Sequence, residues 1–72
     1  MKTIEITTEF IKLQDLLKFA SLCATGGEAK LRIADGEVTV NGEVCTQRGK
    51  KIRPGDTVRF GAEELTVSHA AQ

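Results

Sequence analysis

The stretch LQDLLKFASLCATGGEAKLRIADGEVTVNGEV, residues 13–44, decides the fold because it joins two helix patterns to a hairpin turn. In its first part, apolar residues recur at three- and four-residue steps, which is the spacing of an amphipathic helix. The pattern predicts a first helix over residues 13–24. Its buried stripe is expected to consist of Leu13, Leu16, Leu17, Ala20 and Ala24.

A second helix is indicated by its start and stop signals. Thr25 and Glu28 have the spacing of a capping box, in which a hydroxyl and a carboxylate accept hydrogen bonds from amides at the helix start. Gly36 supplies a natural C-terminal stop. We therefore expect a helix between these two signals.

The residues outside these helices predict short strands. Asn41 and Gly42 tolerate positive φ, so with valines on both sides they indicate a tight turn between antiparallel strands. Further strands are predicted at residues 3–7, 57–60 and 65–67, with another turn at 53–56. The first strand is a candidate to pair with the last and so bring the termini together. This order of elements indicates a small α+β domain.

Length and composition limit the class of protein. With 72 residues the chain is expected to form one domain, 1–72, and its hydrophobic fraction of 40% is sufficient for one small core. Phe10, Phe19 and Phe60 are expected in that core, which leaves little aromatic surface for stacking on bases. The formal net charge is zero, so binding of a charged partner depends on how the charges are distributed.

Residues suited to catalysis or metal binding are scarce. Cys23 and Cys45 form no C-x-x-C pair and are interpreted as small core residues rather than as a disulfide. The only histidine, His69, lies near the C-terminus, where chains commonly fray, so we interpret it as part of a tail. We expect no enzymatic activity, no catalytic residue, no cofactor, no metal site and no small-molecule substrate.

The N-terminal stretch MKTIEITTEF alternates apolar with polar residues, unlike the continuous apolar core of a signal peptide. No later segment approaches the length of a membrane span. We therefore expect a cytoplasmic protein with no membrane partner.

Gly26 and Gly27 stand at the predicted start of the second helix. They are not part of a nucleotide-binding loop, because the spaced second glycine and the following Lys-Ser/Thr are missing. Free amides at a helix start attract phosphate, and the missing side chains allow a nucleic-acid backbone to come close. Lys30 lies on the same side of the helix. The alternative is a tight corner between two helices, and the residues alone leave both interpretations open.

The clearest charge feature is a basic run in which Arg48, Lys50, Lys51 and Arg53 occur with no acidic residue between them. The run lies in a predicted loop between the hairpin and the next turn, so its side chains cannot all be buried. Charge runs of this kind are usually solvated loops. The alternative is a binding surface for an anionic partner.

Taken together, residues 13–56 resemble the S-four RNA-binding domain, named for ribosomal small-subunit protein four. No single piece is diagnostic, whereas the order and spacing of the pieces are. The GGEAK and RGKK segments are most similar to the short stand-alone YbcJ/YaaA-like members, in which this domain is essentially the whole protein. The matching features are Leu13 and Leu17, Glu28-Ala29-Lys30 and Ile33, Gly36, Val38, VNG at 40–42 and PGD at 54–56.

The resemblance implies an αL motif, in which two short helices and a β-hairpin hold a basic face against structured RNA. By this resemblance, Lys30 occupies a usual basic position and Lys12 replaces the Arg that commonly precedes the first helix. The loop over residues 48–53 corresponds to one that often contributes basic contacts. Gln14 replaces a common Asp, and Gly26 stands where many members carry Arg, which shifts the expected phosphate surface toward the later loop.

The principal hypothesis is noncatalytic binding of structured RNA, with ribosomal RNA, ribosomal particles or a ribosome assembly intermediate as the candidate partners. Basic side chains would contact phosphates, which position RNA rather than read its sequence. We expect Lys30 to lie beside Lys50 and Lys51. The alternative is a protein-interaction adaptor that binds an acidic partner through a sheet edge or the basic loop. The expected RNA-binding residues are Lys12, Gly26, Gly27, Lys30, Arg48, Lys50, Lys51 and Arg53.

Overall fold

The computed structural model describes residues 2–70. Its helices are α1 (Leu13–Phe19) and α2 (Gly26–Ala34). Its strands are β1 (Lys2–Ile6), β2 (Ile11–Lys12), β3 (Val38–Val40), β4 (Glu43–Val44), β5 (Lys51–Ile52), β6 (Thr57–Phe60) and β7 (Glu63–His69). Within these described residues, neither helix is long and apolar enough to cross a membrane.

Five strands form one sheet in the order β1-β7-β6-β3-β4, and β2 and β5 form a separate two-stranded ribbon. Every pairing is antiparallel except that of β1 with β7. The predicted α+β fold with a small, mainly antiparallel sheet is confirmed, as is the pairing of the first strand with the last. Because Lys2 lies opposite Leu65 and Ile6 opposite His69, the described chain begins and ends at opposite ends of this parallel pair.

A single apolar core joins the helices, the sheet and the ribbon. Burial of this apolar surface is the main source of stability for so small a chain. The largest fully buried side chains are Leu13, Leu16, Leu17, Ile33, Ile52, Leu65, Val38, Val58 and Val67.

Helix α1 is shorter than its apolar pattern predicts, because it ends at Phe19 rather than at residue 24. Ser21 adopts a φ of 63°, and the amides of Ser21 and Leu22 donate to the carbonyls of Lys18 (3.0 Å) and Leu17 (2.9 Å). These two bonds form a Schellman motif, here without the usual glycine. The following turn still buries Ala20 and Cys23, so the apolar spacing continues past the end of the helix. Ala24, which the pattern placed in the buried stripe, is exposed.

Helix α2 begins and ends as predicted. The Thr25 hydroxyl accepts a hydrogen bond from the Glu28 amide (3.1 Å), and the Glu28 carboxylate accepts one from the Ala24 amide (3.0 Å). Gly36 has a φ of 78° and its amide donates to the Ile33 carbonyl (3.1 Å). Both ends of the helix are therefore capped by local contacts.

The expectation that all three phenylalanines belong to the core is wrong for Phe19, which is 62% exposed. It stands two residues after Leu17, about 200° around the helix, so it lies on the side opposite the buried stripe. Phe60 is half-buried against the core. Phe10 is half-buried beside the ribbon, where it contacts basic side chains, so its expected place in the core is wrong as well.

Candidate functional site

The ribbon of β2 and β5 brings three basic side chains together. Its register places Ile11 opposite Ile52 and Lys12 opposite Lys51. Successive side chains of a strand point to opposite faces, so with Ile52 fully buried and Ile11 packed against the core, Lys12 and Lys51 point away from the core. Arg53 follows two residues after Lys51 and returns to the same side.

Phe10 immediately precedes β2 and contacts two of these cations. The Lys51 Nζ lies 4.9 Å from the centroid of its ring, and the Arg53 Cζ lies 5.9 Å from it. Both distances fall within the range of a cation–π interaction. Phe10, Lys12, Lys51 and Arg53 together are called the outer face of the ribbon below.

The prediction that residues 48–53 form a loop throughout is wrong, because Lys51 and Ile52 form strand β5. The rest of the segment is held by the first turn of α1. The Lys50 carbonyl accepts a hydrogen bond from the Leu13 amide (2.9 Å), and the Arg48 carbonyl accepts one from the Gln14 amide (3.1 Å). These bonds satisfy amides at a helix start that no side chain caps, and they fix the basic segment relative to the core.

The cations of this region are unpaired. Among residues 2–70, the only ion pair within 4.0 Å joins Arg32 Nη1 to Glu37 Oε2 at 3.2 Å, away from the ribbon. Like charges directly opposite each other on two strands are destabilising. The Lys12–Lys51 pair therefore costs folding stability that an anionic ligand would recover.

An open groove of about 570 Å³ lies beside the outer face, between the basic segment and the β3–β4 hairpin. Its lining includes Lys50, Lys51 and Arg53, together with the carboxylates of Glu43 and Asp56. The Asp56 carboxylate already accepts bonds from Asn41 Nδ2 (3.1 Å) and from the Arg53 amide (2.9 Å). Its charge is thus partly compensated within the turn.

Asn41 has the structural role that its turn position indicates. Asn41 and Gly42 have φ of 52° and 87°, which suits a type I′ hairpin turn. Besides the bond to Asp56, the Asn41 side-chain oxygen accepts a bond from the Thr57 amide at 2.9 Å. Asn41 thereby ties the hairpin to the turn at residues 53–56 and holds the two sides of the groove together.

The glycines at the start of α2 form a second candidate site. The amides of Gly26 and Gly27 have no acceptor within residues 2–70. A Cβ placed on Gly26 would lie 3.9 Å from the Lys18 Cδ, so the Lys18 side chain passes over this helix start. The sequence does not indicate Lys18 as part of this candidate site. The approach of Lys18 to Gly26 depends on how α1 and α2 cross, and no pattern near either residue predicts it.

The predicted site residues thus divide between two places. Lys12, Lys51 and Arg53 lie on the outer face, with Lys50 and Arg48 beside it at the first turn of α1. The two glycines lie near Lys18 in the last turn of α1, and seven residues of helix, about 10 Å, separate these ends. Lys30 is exposed on α2 and makes no ion pair or hydrogen bond within the described chain. That Lys30 lies beside Lys50 and Lys51 stays a prediction.

Both cysteines are free, and the histidine belongs to a strand. Cys23 is buried and free, and burial, followed by the nearby Glu28 charge, raises the pKa of its thiol. Cys45 is also free and half-buried. The expectation that His69 belongs to a frayed tail is wrong. It is the last residue of β7, and the parallel pairing with β1 extends to it. Across the part of the chain that the structure describes, no three His, Cys, Asp or Glu residues group as a metal site.

Comparison with known sequences gives a consistent family. The S4 domain family matches residues 4–68. "Putative RNA-binding protein YbcJ" of Escherichia coli (strain K12) is 40% identical over 57 residues, which are 79% of this chain and 81% of YbcJ. "Probable ribosome maturation protein RlbA" of Bacillus subtilis (strain 168) is 44% identical over 57 residues, which are 79% of this chain and 80% of RlbA.

A solved structure gives the same result. The solution structure of YbcJ from Escherichia coli, described as revealing an αL motif involved in RNA binding, is similar to this chain with a TM-score of 0.74 and 36% identity. The similarity covers 94% of this chain and 87% of that one. The two-helix and hairpin arrangement implied by residues 13–56 is therefore confirmed. On the evidence of both sequence and structure, this chain belongs to the S4 domain family.

Proposed function

We propose that the chain binds structured RNA without catalysis, and that the RNA is ribosomal RNA or a ribosome assembly intermediate. RNA binding is the function that the family and its relatives support, and the ribosome maturation name of the Bacillus subtilis relative supports a ribosomal target. The observation that carries the proposal is the outer face of the ribbon, where Lys12, Lys51 and Arg53 point away from the core and have no carboxylate partner within residues 2–70.

The outer face would bind phosphates. Lysine and arginine side chains neutralise phosphate charge and release condensed counterions, which favours binding at low salt. Arg48 and Lys50 extend the positive surface along the same segment, so the region holds five of the ten lysines and arginines of the chain. Such contacts position RNA through its backbone and shape rather than through base sequence.

The start of α2 would supply a second phosphate contact. Within residues 2–70 the amides of Gly26 and Gly27 have no acceptor, the Lys18 side chain lies close to Gly26, and Lys30 is exposed further along the helix. Two contact points about one α1 length apart favour a folded RNA, whose phosphates keep a fixed spacing, over a flexible single strand.

Crosslinking in cells tests this proposal most directly. Recovery of ribosomal RNA crosslinked to the chain, with crosslinks on β2, β5 or the segment between residues 48 and 53, is the expected result. Purified protein should also bind folded ribosomal RNA fragments. Recovery of an acidic protein without enriched RNA would contradict the proposal and favour the adaptor hypothesis.

A further inference from the structure

Phe10 has a position that a core residue would not have. It is half-buried at the start of the ribbon, and both cations that contact its ring, Lys51 and Arg53, belong to the proposed phosphate-binding surface. The negative face of an aromatic ring attracts cations, with an effect that is measurable even at exposed sites. The ring therefore draws two like-charged side chains toward one point although they repel each other.

The mobility of these two side chains makes the contact consequential. Lysine and arginine have many rotamers, and ordering them on a ligand costs conformational entropy. Neither Lys51 nor Arg53 is held by an ion pair within residues 2–70. Their backbone is fixed by β5 and by the bond from the Arg53 amide to Asp56, so the ring is what remains to orient the charged ends.

We propose that Phe10 is a positioning residue of the RNA-binding surface, whose ring orients Lys51 and Arg53 for phosphates before RNA binds. The inference rests on the proposed function and adds to it a residue without charge. Phe10 acts through the two cations, so its contribution to binding should disappear when they are absent.

The first test needs no RNA. An aromatic ring shifts the NMR resonances of protons above its face upfield. Because Lys51 and Arg53 lie over the ring, their terminal methylene protons should be shifted upfield in the wild type and in Phe10→Tyr. In Phe10→Leu these resonances should return to their ordinary values. Unchanged shifts in folded Phe10→Leu would overturn the proposal, because the ring would then not determine where the two side chains lie.

The second test measures affinity for a folded ribosomal RNA fragment. Phe10→Leu should weaken binding by about fivefold, since ordering each of two free side chains costs at least about a factor of two. Phe10→Tyr should bind as the wild type does. The salt dependence of binding should be nearly unchanged in Phe10→Leu, because the number of phosphate contacts stays the same. In Lys51→Gln/Arg53→Gln the size of the log–log salt slope should fall by about two.

A double-mutant cycle separates positioning from direct contact. In the Lys51→Gln/Arg53→Gln background, Phe10→Leu should cause no further loss of affinity. An equal loss of affinity in both backgrounds would overturn the proposal, because the ring would then contact RNA itself. The proposal would also be overturned if Phe10→Leu alone bound RNA with wild-type affinity. If the wild type shows the upfield shifts but binds no RNA, the proposed function fails while the orientation of the side chains stands.

Discussion

Reversing the charge of Lys50 and Lys51 should abolish most RNA binding while the domain remains folded. Both side chains are exposed and line the groove beside the outer face. Each exposed contact with a phosphate is worth up to about 1 kcal/mol, so Lys50→Gln/Lys51→Gln should weaken binding up to about 30-fold. Lys50→Glu/Lys51→Glu adds repulsion of similar size, which extends the loss up to about 1000-fold.

Folding should respond in a different way. Lys51 lies directly opposite Lys12, so Lys51→Glu replaces a repulsive cross-strand pair with an attractive one, a gain of roughly 0.2–1 kcal/mol. The same change removes the contact with Phe10, a loss of roughly 0.5–1 kcal/mol. These effects nearly cancel, so the free energy of unfolding should change by less than about 1 kcal/mol.

The assay is binding of a labelled, folded ribosomal RNA fragment over a range of salt, with urea unfolding of each variant. Three to five phosphate contacts should give the wild type a log–log salt slope between about −2 and −5, and Lys50→Gln/Lys51→Gln should reduce its size by about two. Lys2→Gln/Arg59→Gln is the matched control, because it removes two exposed cations outside the outer face and its groove. If the folded Lys50→Glu/Lys51→Glu variant binds with the affinity and the salt slope of the wild type, Lys50 and Lys51 do not contact the RNA.

Three further predictions concern the helix start and the thiols. Gly26→Ala should stabilise the fold by about 0.4–1 kcal/mol in urea unfolding, because the added Cβ meets only the flexible side chain of Lys18. The same Cβ should weaken RNA binding, because it keeps the RNA backbone away from the amides at the start of α2. A stabilised variant with full affinity would exclude that contact. Cys23→Ser/Cys45→Ser should lose stability because Cys23 is buried, but folded protein should keep its RNA affinity, and selective loss of binding would indicate a thiol-dependent mechanism. Burial raises the pKa of the Cys23 thiol in the folded state, so the contribution of Cys23 to stability should be constant below the ordinary thiol pKa of 9.0 and fall above it as the unfolded thiol ionises first; a Cys23→Ala variant should lack this fall.

The elements that could be predicted from the sequence are those with local determinants. Thr25, Glu28 and Gly36 cap α2 through contacts a few residues apart, and Asn41 with Gly42 forms the hairpin turn by its own backbone preference. Each of these features depends only on residues within one short stretch, so it can be predicted without knowledge of the tertiary structure.

Helix α1 shows where local patterns become insufficient. Its end depends on Ser21 in a left-handed conformation, which the sequence does not indicate because glycine is the usual residue there. Leu13, Leu16 and Leu17 gave the correct buried stripe, but Ala20 and Cys23 are buried by the turn that follows and continue the helical spacing by coincidence. Apolar spacing thus reports burial more reliably than it reports where a helix ends.

The ribbon could not be predicted because its evidence is divided between two distant segments. Lys51-Ile52-Arg53 shows one apolar residue between polar ones, which is too short an alternation to separate from chance, and Phe10-Ile11-Lys12 shows no alternation because Phe10 is apolar as well. Pairing the isoleucines fixes the register, and the register alone places Lys12 opposite Lys51. The basic run is visible in the sequence, while the orientation that its side chains share with Lys12 arises only from a contact between parts of the chain some forty positions apart.

Under the proposed function, that orientation would allow a chain with no net charge to bind a polyanion. At physiological ionic strength, interactions between exposed charges are largely screened beyond about 8 Å, so a phosphate at the outer face responds to the nearest cations and hardly to the total. Of the two acidic residues in the groove, Asp56 is already bonded to Asn41 and to the Arg53 amide. Under the proposed function, what the fold supplies is therefore not positive charge but its concentration on one ribbon, so the register of two isoleucines should matter to RNA binding as much as the lysines beside them.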